Sequence, residues 1–264
     1  MQDVQKTSPV HAYPIHRVGI RNLTVPIFIR EKGDKIQHTV ATVDAFVDLN
    51  ADQKGTHMSR LAIGIHKFMD HKLDQDLLIN IADYIKNKCE AETSHIVYKF
   101  PYFIKKLAPV SKEPGLIHTN VEFDLVKNST DQRFIMRVES LTTSLCPCSK
   151  EISEAGAHNQ RSKIKITCCP KKDSWIWIED LIDIAERNAS CQIYSSLKRT
   201  DEKQVTEEAY NNPKFVEDTV RGLYDTLISR TDVEWFNIEV INEESIHLHD
   251  AYASIDSRGD LRLI

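Results

Sequence analysis

Long apolar runs are missing from this chain. No stretch approaches the roughly 20 residues that cross a bilayer, and the opening M-Q-D-V-Q-K-T-S-P-V-H-A-Y-P lacks the apolar centre of a signal peptide. A basic surplus is missing too. The 39 acidic residues outnumber the 34 basic ones, for a formal charge of −5. A general nucleic-acid binder needs a net basic surface for phosphate, so that class is set aside. Cysteine is sparse, with six in 264 residues. Cys146 and Cys148 lie two apart and Cys168 and Cys169 are adjacent, so neither pair bridges easily, and no disulfide framework is expected. Glycine (8) and proline (9) are too few for a disordered or low-complexity chain. These absences predict a reduced, cytoplasmic protein with no membrane and no nucleic-acid partner.

What is present is an ordinary globular balance, 41% hydrophobic and 28% charged. The length suits one large domain or two halves of about 130 residues. Residues 1–16 read as an arm. Residues 17–130 then read strand, strand, helix, helix, strand, strand: Val18 to Ile29 and Thr39 to Leu49 are β-rich, with a turn at Gly33-Asp34 between them. Helical spacing follows Arg60 and again covers Asp74 to Lys88, and strands return at His95 to Ile104 and Ile117 to Val126. Residues 131–264 repeat the order. Arg133 to Leu145 and Ser162 to Cys168 read as strands, Ile178 to Asn188 and Pro213 to Ile228 as helices, and Glu234 to Ile241 and Ser245 to Ile255 as closing strands. Paired strands with segregated helices predict an α+β fold with antiparallel sheets. Exposed hairpin edges favour pairing between subunits.

One stretch does not read as core. Ser144 to Ser162 runs S-L-C-P-C-S-K-E-I-S-E-A-G-A-H-N-Q-R-S and has almost no large apolar side chains. It holds two thiols (Cys146, Cys148), an imidazole (His158), two carboxylates (Glu151, Glu154) and a guanidinium (Arg161). Thiolate sulfur and neutral imidazole nitrogen are the preferred ligands of zinc and similar metals. Pro147 stiffens the loop between the thiols, and Gly156 permits a turn before His158. The bland alternative is a pair of inert thiols. A metal would also need a further ligand from elsewhere.

Two more polar stretches qualify. L-K-R-T-D-E-K-Q-V-T-E-E (Leu197 to Glu208) reads as a solvated charged loop joining two helices. Its Lys198, Arg199 and Lys203 could together neutralise phosphates, and Glu202 could supply a hard oxygen ligand; Asp201 has no assigned role. In S-I-H-L-H-D (Ser245 to Asp250), a strand would point His247 and His249 to one face, as a metal pair, an acid–base pair or two surface histidines. Glu217, in F-V-E-D on a predicted helix, would by itself pass for a solvent-facing acid.

Taken in order, T-H-M-S-R (Thr56 to Arg60), C-P-C-S-K-E-I-S-E-A-G-A-H-N-Q-R-S (from Cys146), L-K-R-T-D-E-K-Q-V-T-E-E-A-Y-N-N-P-K-F-V-E-D (from Leu197) and H-L-H-D (from His247) closely resemble the prokaryotic type IB GTP cyclohydrolase I family. The resemblance spans nearly the whole chain. It implies a tunnelling fold (T-fold), two tandem ββααββ units whose antiparallel sheets close into a barrel on oligomerisation, and a homotetramer. It implies conversion of GTP to 7,8-dihydroneopterin triphosphate and formate with one divalent metal per site, Zn2+ or Mn2+. By resemblance the metal ligands are Cys146, His158 and Glu202. His247 and His249 are the proton-transfer candidates, Glu217 anchors the purine, and Cys148 is a second active-site thiol. Arg161, Lys198, Arg199 and Lys203 are candidates for the triphosphate on charge. Two rivals stand beside this reading, another pterin or deazapurine enzyme of the same fold and a zinc-stabilised interaction protein.

Overall fold

The computed structural model describes residues 5, 7–33 and 35–259. Most of the arm's first residues (1–4 and 6), Asp34 of the expected turn, and residues 260–264 lie outside the described residues. Two compact units emerge. One comprises the chain up to Pro101 together with Glu122–Met136, the other Tyr102–Val121 together with the chain from Arg137.

In the first unit, β1 (Ile15–Arg30) and β2 (Ile36–Leu49) form a long antiparallel pair. They are followed by α1 (Met58–Lys67), the two-residue β3 (Lys72–Leu73), α2 (Gln75–Cys89) and the start of β4 (Ser94–Leu107). Val43, Ala45, Val47 and Leu49 alternate along β2 and are all buried, the period-2 pattern of a half-covered sheet. Asp74 caps α2, its carboxylate accepting the Leu77 amide at 2.8 Å. Leu77, Leu78, Ile81, Ala82 and Ile85 then bury one helical stripe. Each large member contributes on the order of 1.5–3 kcal/mol by leaving water. The Ser94 hydroxyl donates to the Ala82 carbonyl at 3.0 Å, tying strand to helix.

The second unit takes the remainder of β4 and parts of β5 (Pro114–Lys127) and β6 (Gln132–Leu145). It then adds α3 (Pro147–Ile152), β7 (Asn159–Pro170), α4 (Ile178–Asn188), the short β8 (Cys191–Gln192), α5 (Arg199–Asn211), α6 (Val216–Ile228), β9 (Val233–Asn242) and β10 (Ala251–Asp256). Ile178, Leu181, Ile182 and Ala185 of α4 and Val216, Val220, Leu223 and Leu227 of α6 supply its helical core. Ser162 of β7 and Ala251 of β10 both pair with Asn242 of β9. The Asn242 side-chain amide donates to Ser144 Oγ on β6 at 3.1 Å. One end of this sheet thus brings together the last residues of β6 and β9 and the first of β7 and β10.

The expected tunnelling fold of two ββααββ units closing into a barrel is corrected. The strands form one open, mostly antiparallel ten-stranded sheet in the order β10-β9-β7-β6-β5-β4-β2-β1-β3, with β8 beside β6, accompanied by six helices among the described residues. The reason lies in the strand path. β4, β5 and β6 each run for 14 residues in a single strand path, and that path ends at β10 on one side and β3 on the other without returning on itself. Three local expectations also change. The charged stretch after Leu197 is helix α5, not a loop. The helix expected from Pro213 begins at Val216. The strand expected over Ser245 to Ile255 is a turn and bend through His249, and β10 starts only at Ala251.

Candidate active site

The polar stretch after Ser144 folds into a short helix and a return loop, closed at both ends. Cys146 is the N-cap of α3, with Pro147 at the first helical position. Its Sγ accepts the Ser149 amide at 3.4 Å. The Cys146 amide donates to the His158 carbonyl at 3.1 Å, and the His158 amide donates to Ser149 Oγ at 3.2 Å. Gly156, at φ +81°, makes the turn that returns the chain to His158. Cys146 and His158, twelve residues apart in sequence, are therefore backbone neighbours across this closure. Lys150 anchors α3 from outside, its Nζ donating to the Tyr210 carbonyl at 2.5 Å and lying 4.3 Å from that ring's centroid.

The His158 ring is held as well. Its Nδ1 lies 3.0 Å from Gln160 Oε1 and 3.8 Å from Glu244 Oε2. The Gln160 amide Nε2 donates to Glu244 Oε1 at 3.2 Å. Nε2 of His158 makes no hydrogen bond among the described residues. Sequence reasoning missed Gln160 and Glu244. The i, i+2 spacing of His158 and Gln160 at the start of a strand was a usable sign that the two share a face, whereas Glu244 enters through the pairing of β9 with β7.

The six cysteines divide into two kinds. Cys89, Cys168 and Cys191 are buried, and burial pushes their thiols up, Cys168 to about 12 and Cys191 to about 11. Such thiols are inert at neutral pH. Cys146 and Cys169 are half-buried and Cys148, on α3, is exposed. All six are free.

The remaining candidates flank this loop. Val205 and the buried Ala209 of α5 belong to one apolar cluster with Leu145, Ala157 and Cys191, which lays α5 beside the residues next to Cys146 and His158 in sequence. Glu202 stands exposed in the first turn of α5. Asp201, unassigned from sequence, is fully buried and fixes that turn. It accepts the Val110 and Ser111 amides at 2.8 Å each, the Ser111 hydroxyl at 2.6 Å and the Lys198 amide at 2.9 Å. Burial pushes its carboxyl up, yet these hydrogen bonds outweigh burial and hold it well below the usual carboxylate range. Glu217 is exposed in the first turn of α6, whose approach is tied down where the Lys214 amide donates to the Leu145 carbonyl at 3.1 Å.

The four basic candidates differ in their ion pairing. Lys198 pairs with Glu113 at 2.8 Å, a contact that raises its pKa, and Lys203 lies 3.7 Å from Glu207. Arg161 and Arg199 are exposed, and their side chains make no ion pair among the described residues. His247 and His249 sit in the β9–β10 loop with their rings stacked, centroids 5.1 Å apart and planes at 15°. A bend, not a strand face, puts them together. Leu248 between them is fully exposed. No three His, Cys, Asp or Glu side chains converge into a metal-sized group among the described residues. The structure joins Cys146 to His158 and His247 to His249, and leaves Glu202 on a neighbouring helix.

Comparison with known proteins decides the family. The family described as "Type I GTP cyclohydrolase folE2" matches residues 1–253. The chain belongs to this family. It is similar to the GTP cyclohydrolase FolE2 of Desulfosudis oleivorans, 44% identical over 257 residues and covering 97% of each chain. A namesake from Geotalea uraniireducens is 44% identical over 256 residues, covering 97% of this chain and 93% of the relative. Among solved structures, the uricase of Arthrobacter globiformis is alike with a TM-score of 0.53, at 6% identity, over 93% of this chain and 94% of that one. A hyperthermostable mutant of Bacillus sp. TB-90 urate oxidase has a TM-score of 0.53 at 11% identity, covering 92% of this chain and 99% of that one. These two likenesses concern the fold alone, and they accompany the open sheet that replaces the expected barrel. No helix among the described residues is long and apolar enough to cross a membrane.

Proposed function

We propose that the chain converts GTP and water to 7,8-dihydroneopterin 3′-triphosphate and formate, the first step of folate-type pterin synthesis, at the loop that joins Cys146 to His158. The observation that carries this reading is that closure, in a chain matched to GTP cyclohydrolases over nearly its whole length. Its donor chemistry fits a divalent metal. A half-buried thiol belongs to a residue whose backbone is hydrogen-bonded to that of His158, the His158 Nε2 is unengaged among the described residues, and an exposed carboxylate stands on the adjoining helix. Cys146, His158 and Glu202 would hold the ion, and their mixed soft and hard character suits either zinc or manganese. When bound, such an ion supplies Lewis acidity and a nucleophilic water near neutral pH.

The chain's own groups do the rest. The stacked His247 and His249 give and take protons while the guanine imidazole ring opens at C8 and the pyrazine ring closes. Glu217, an acceptor with two oxygens, orients the base through its N–H edge. Cys148 offers a second thiol two residues on from Cys146, in the first turn of α3. Arg161 and Arg199 meet the triphosphate first, and Lys198 and Lys203 join by exchanging Glu113 and Glu207 for phosphate oxygens. A homotetramer in a reduced, cytoplasmic setting completes the reading. It is supported by six cysteines without a disulfide and by exposed Ile246, Leu248 and Tyr252 in and beside the β9–β10 loop; light scattering checks the tetramer. The function itself is tested by giving GTP to the zinc- or manganese-loaded protein and measuring formate together with a fluorescent pterin after oxidation. Formate and pterin in equal amounts are expected. GTP left intact with either metal rejects the reading.

A further inference from the structure

We infer that Gln160 is a positioning residue that fixes His158 in its Nδ1–H tautomer and so presents the Nε2 lone pair as the ligand atom. The inference rests on the proposed metal site and follows from a chain of donors and acceptors. Glu244 is a carboxylate, an acceptor only when ionised. Gln160 lies 3.2 Å from it and is buried, so the Gln160 NH2 must face Glu244. That choice turns Gln160 Oε1, which can only accept, toward His158 Nδ1 at 3.0 Å. Nδ1 must then carry the proton, and in the neutral ring Nε2 is left with a lone pair. Glu244 Oε2, 3.8 Å from Nδ1, adds an attraction of the same sense. With the amide reversed, an oxygen would face a carboxylate and an NH2 would face Nδ1, and both the acidic contact and the tautomer would be lost.

The arrangement has the form of an outer-shell relay. A ligand imidazole is oriented through its other nitrogen, here by an amide that is itself oriented by an acid. Gln160 touches neither substrate nor metal in this scheme; its effect passes through His158 alone. Two variants separate acceptor from bulk. Gln160→Leu removes the acceptor. Gln160→Glu restores an oxygen toward Nδ1 while losing the NH2 that faces Glu244.

The test uses full-length protein labelled with 15N at histidine, metal-free and above the imidazole titration range. The wild type is expected to show His158 protonated at Nδ1, and Gln160→Leu to move it toward Nε2–H. Competition against a chelator should show zinc affinity falling roughly 10–100-fold in Gln160→Leu, with Gln160→Glu recovering much of the loss and keeping Nδ1–H. An Nε2–H tautomer in the wild type, or unchanged tautomer and zinc affinity in Gln160→Leu, overturns the inference. Should Gln160→Leu fail to fold, the wild-type tautomer and the Gln160→Glu affinity still decide. The readings fail separately. A wild type with Nδ1–H and tight zinc but no formate from GTP loses the proposed function and keeps the relay. Formate release with an Nε2–H ring does the reverse.

Discussion

His95 in the first unit and His158 in the second are both held by an acidic group, and they differ in what happens to the other nitrogen. His95 Nε2 lies 2.8 Å from Asp124 Oδ1, its ring 5.6 Å from that of Phe46, and its Nδ1 is enclosed without a hydrogen-bond partner. His158 is held at Nδ1 through Gln160 and Glu244, and its Nε2 makes no hydrogen bond among the described residues. A held imidazole with its second nitrogen sealed is part of the core. The same group with that nitrogen unengaged is the one the proposed function assigns to a metal. The comparison teaches that the two histidines are told apart by which nitrogen a neighbour engages, not by the number of histidines or their acidic neighbours.

The hardest blow to that contrast is removal of the proposed ligands. His158→Ala and Cys146→Ala should lose stoichiometric metal and GTP turnover while staying folded, because a chain this long buries enough apolar surface without a structural ion. Metal analysis and near-UV circular dichroism check both. Wild-type metal content in the two variants would return His158 to the same class as His95.

Next in size is proton transfer. His247→Ala or His249→Ala should lower turnover by roughly 10²–10⁴-fold with metal content near that of the wild type. Metal lost from either variant, beside a Glu202→Ala protein that keeps it, would move the histidine pair into the ligand set. Smaller again is base recognition. Glu217→Gln keeps the size and removes the charge, at a cost of about 1.5–3 kcal/mol in GTP binding, read by isothermal titration. Unchanged affinity would make Glu217 a helix-surface acid.

The smallest effects separate structural polar groups from chemical ones. His95→Gln should cost about 1–3 kcal/mol of stability, the range for disturbing a buried hydrogen-bonded partner, and leave metal content alone; urea unfolding reads the first and metal analysis the second. Asp201 gives a pH signature. Its folded pKa lies below the unfolded value near 3.9, so the unfolded chain binds the extra proton. Its stabilisation is present above that unfolded value and drains away as pH falls toward the folded one. Asp201→Asn should therefore flatten the acid limb of a stability-versus-pH curve measured by urea midpoints. An acid limb identical to the wild type would show that Asp201 does not carry that dependence.

Much of the fold was legible because long amphipathic elements announce themselves. The α2 stripe from Leu77 to Ile85, the α4 stripe from Ile178 and the alternation along β2 all carry the period of their structure. Helix α5 was not legible. Only Asp201 and Ala209 are buried within it, so it shows no apolar stripe, and what fixes its start is a buried carboxylate receiving amides from a distant loop. The strand expected through His247 failed for a related reason. Ile246 and Leu248 alternate with the histidines but face no core, and alternation without burial does not make a strand. Closure into a barrel failed because sequence marks where strands are and not how far a ladder continues. At the site, Cys146 and His158 could be suspected from residue type, whereas the contact of Gln160 with Glu244 depends on strand register.

The most direct test of the contrast between the two histidines is metal content and formate release from GTP, measured side by side on the wild type, His158→Ala and His95→Gln. The wild type and His95→Gln are expected to bind metal and release formate, and His158→Ala to do neither. A His158→Ala protein that still binds metal and releases formate would contradict the account.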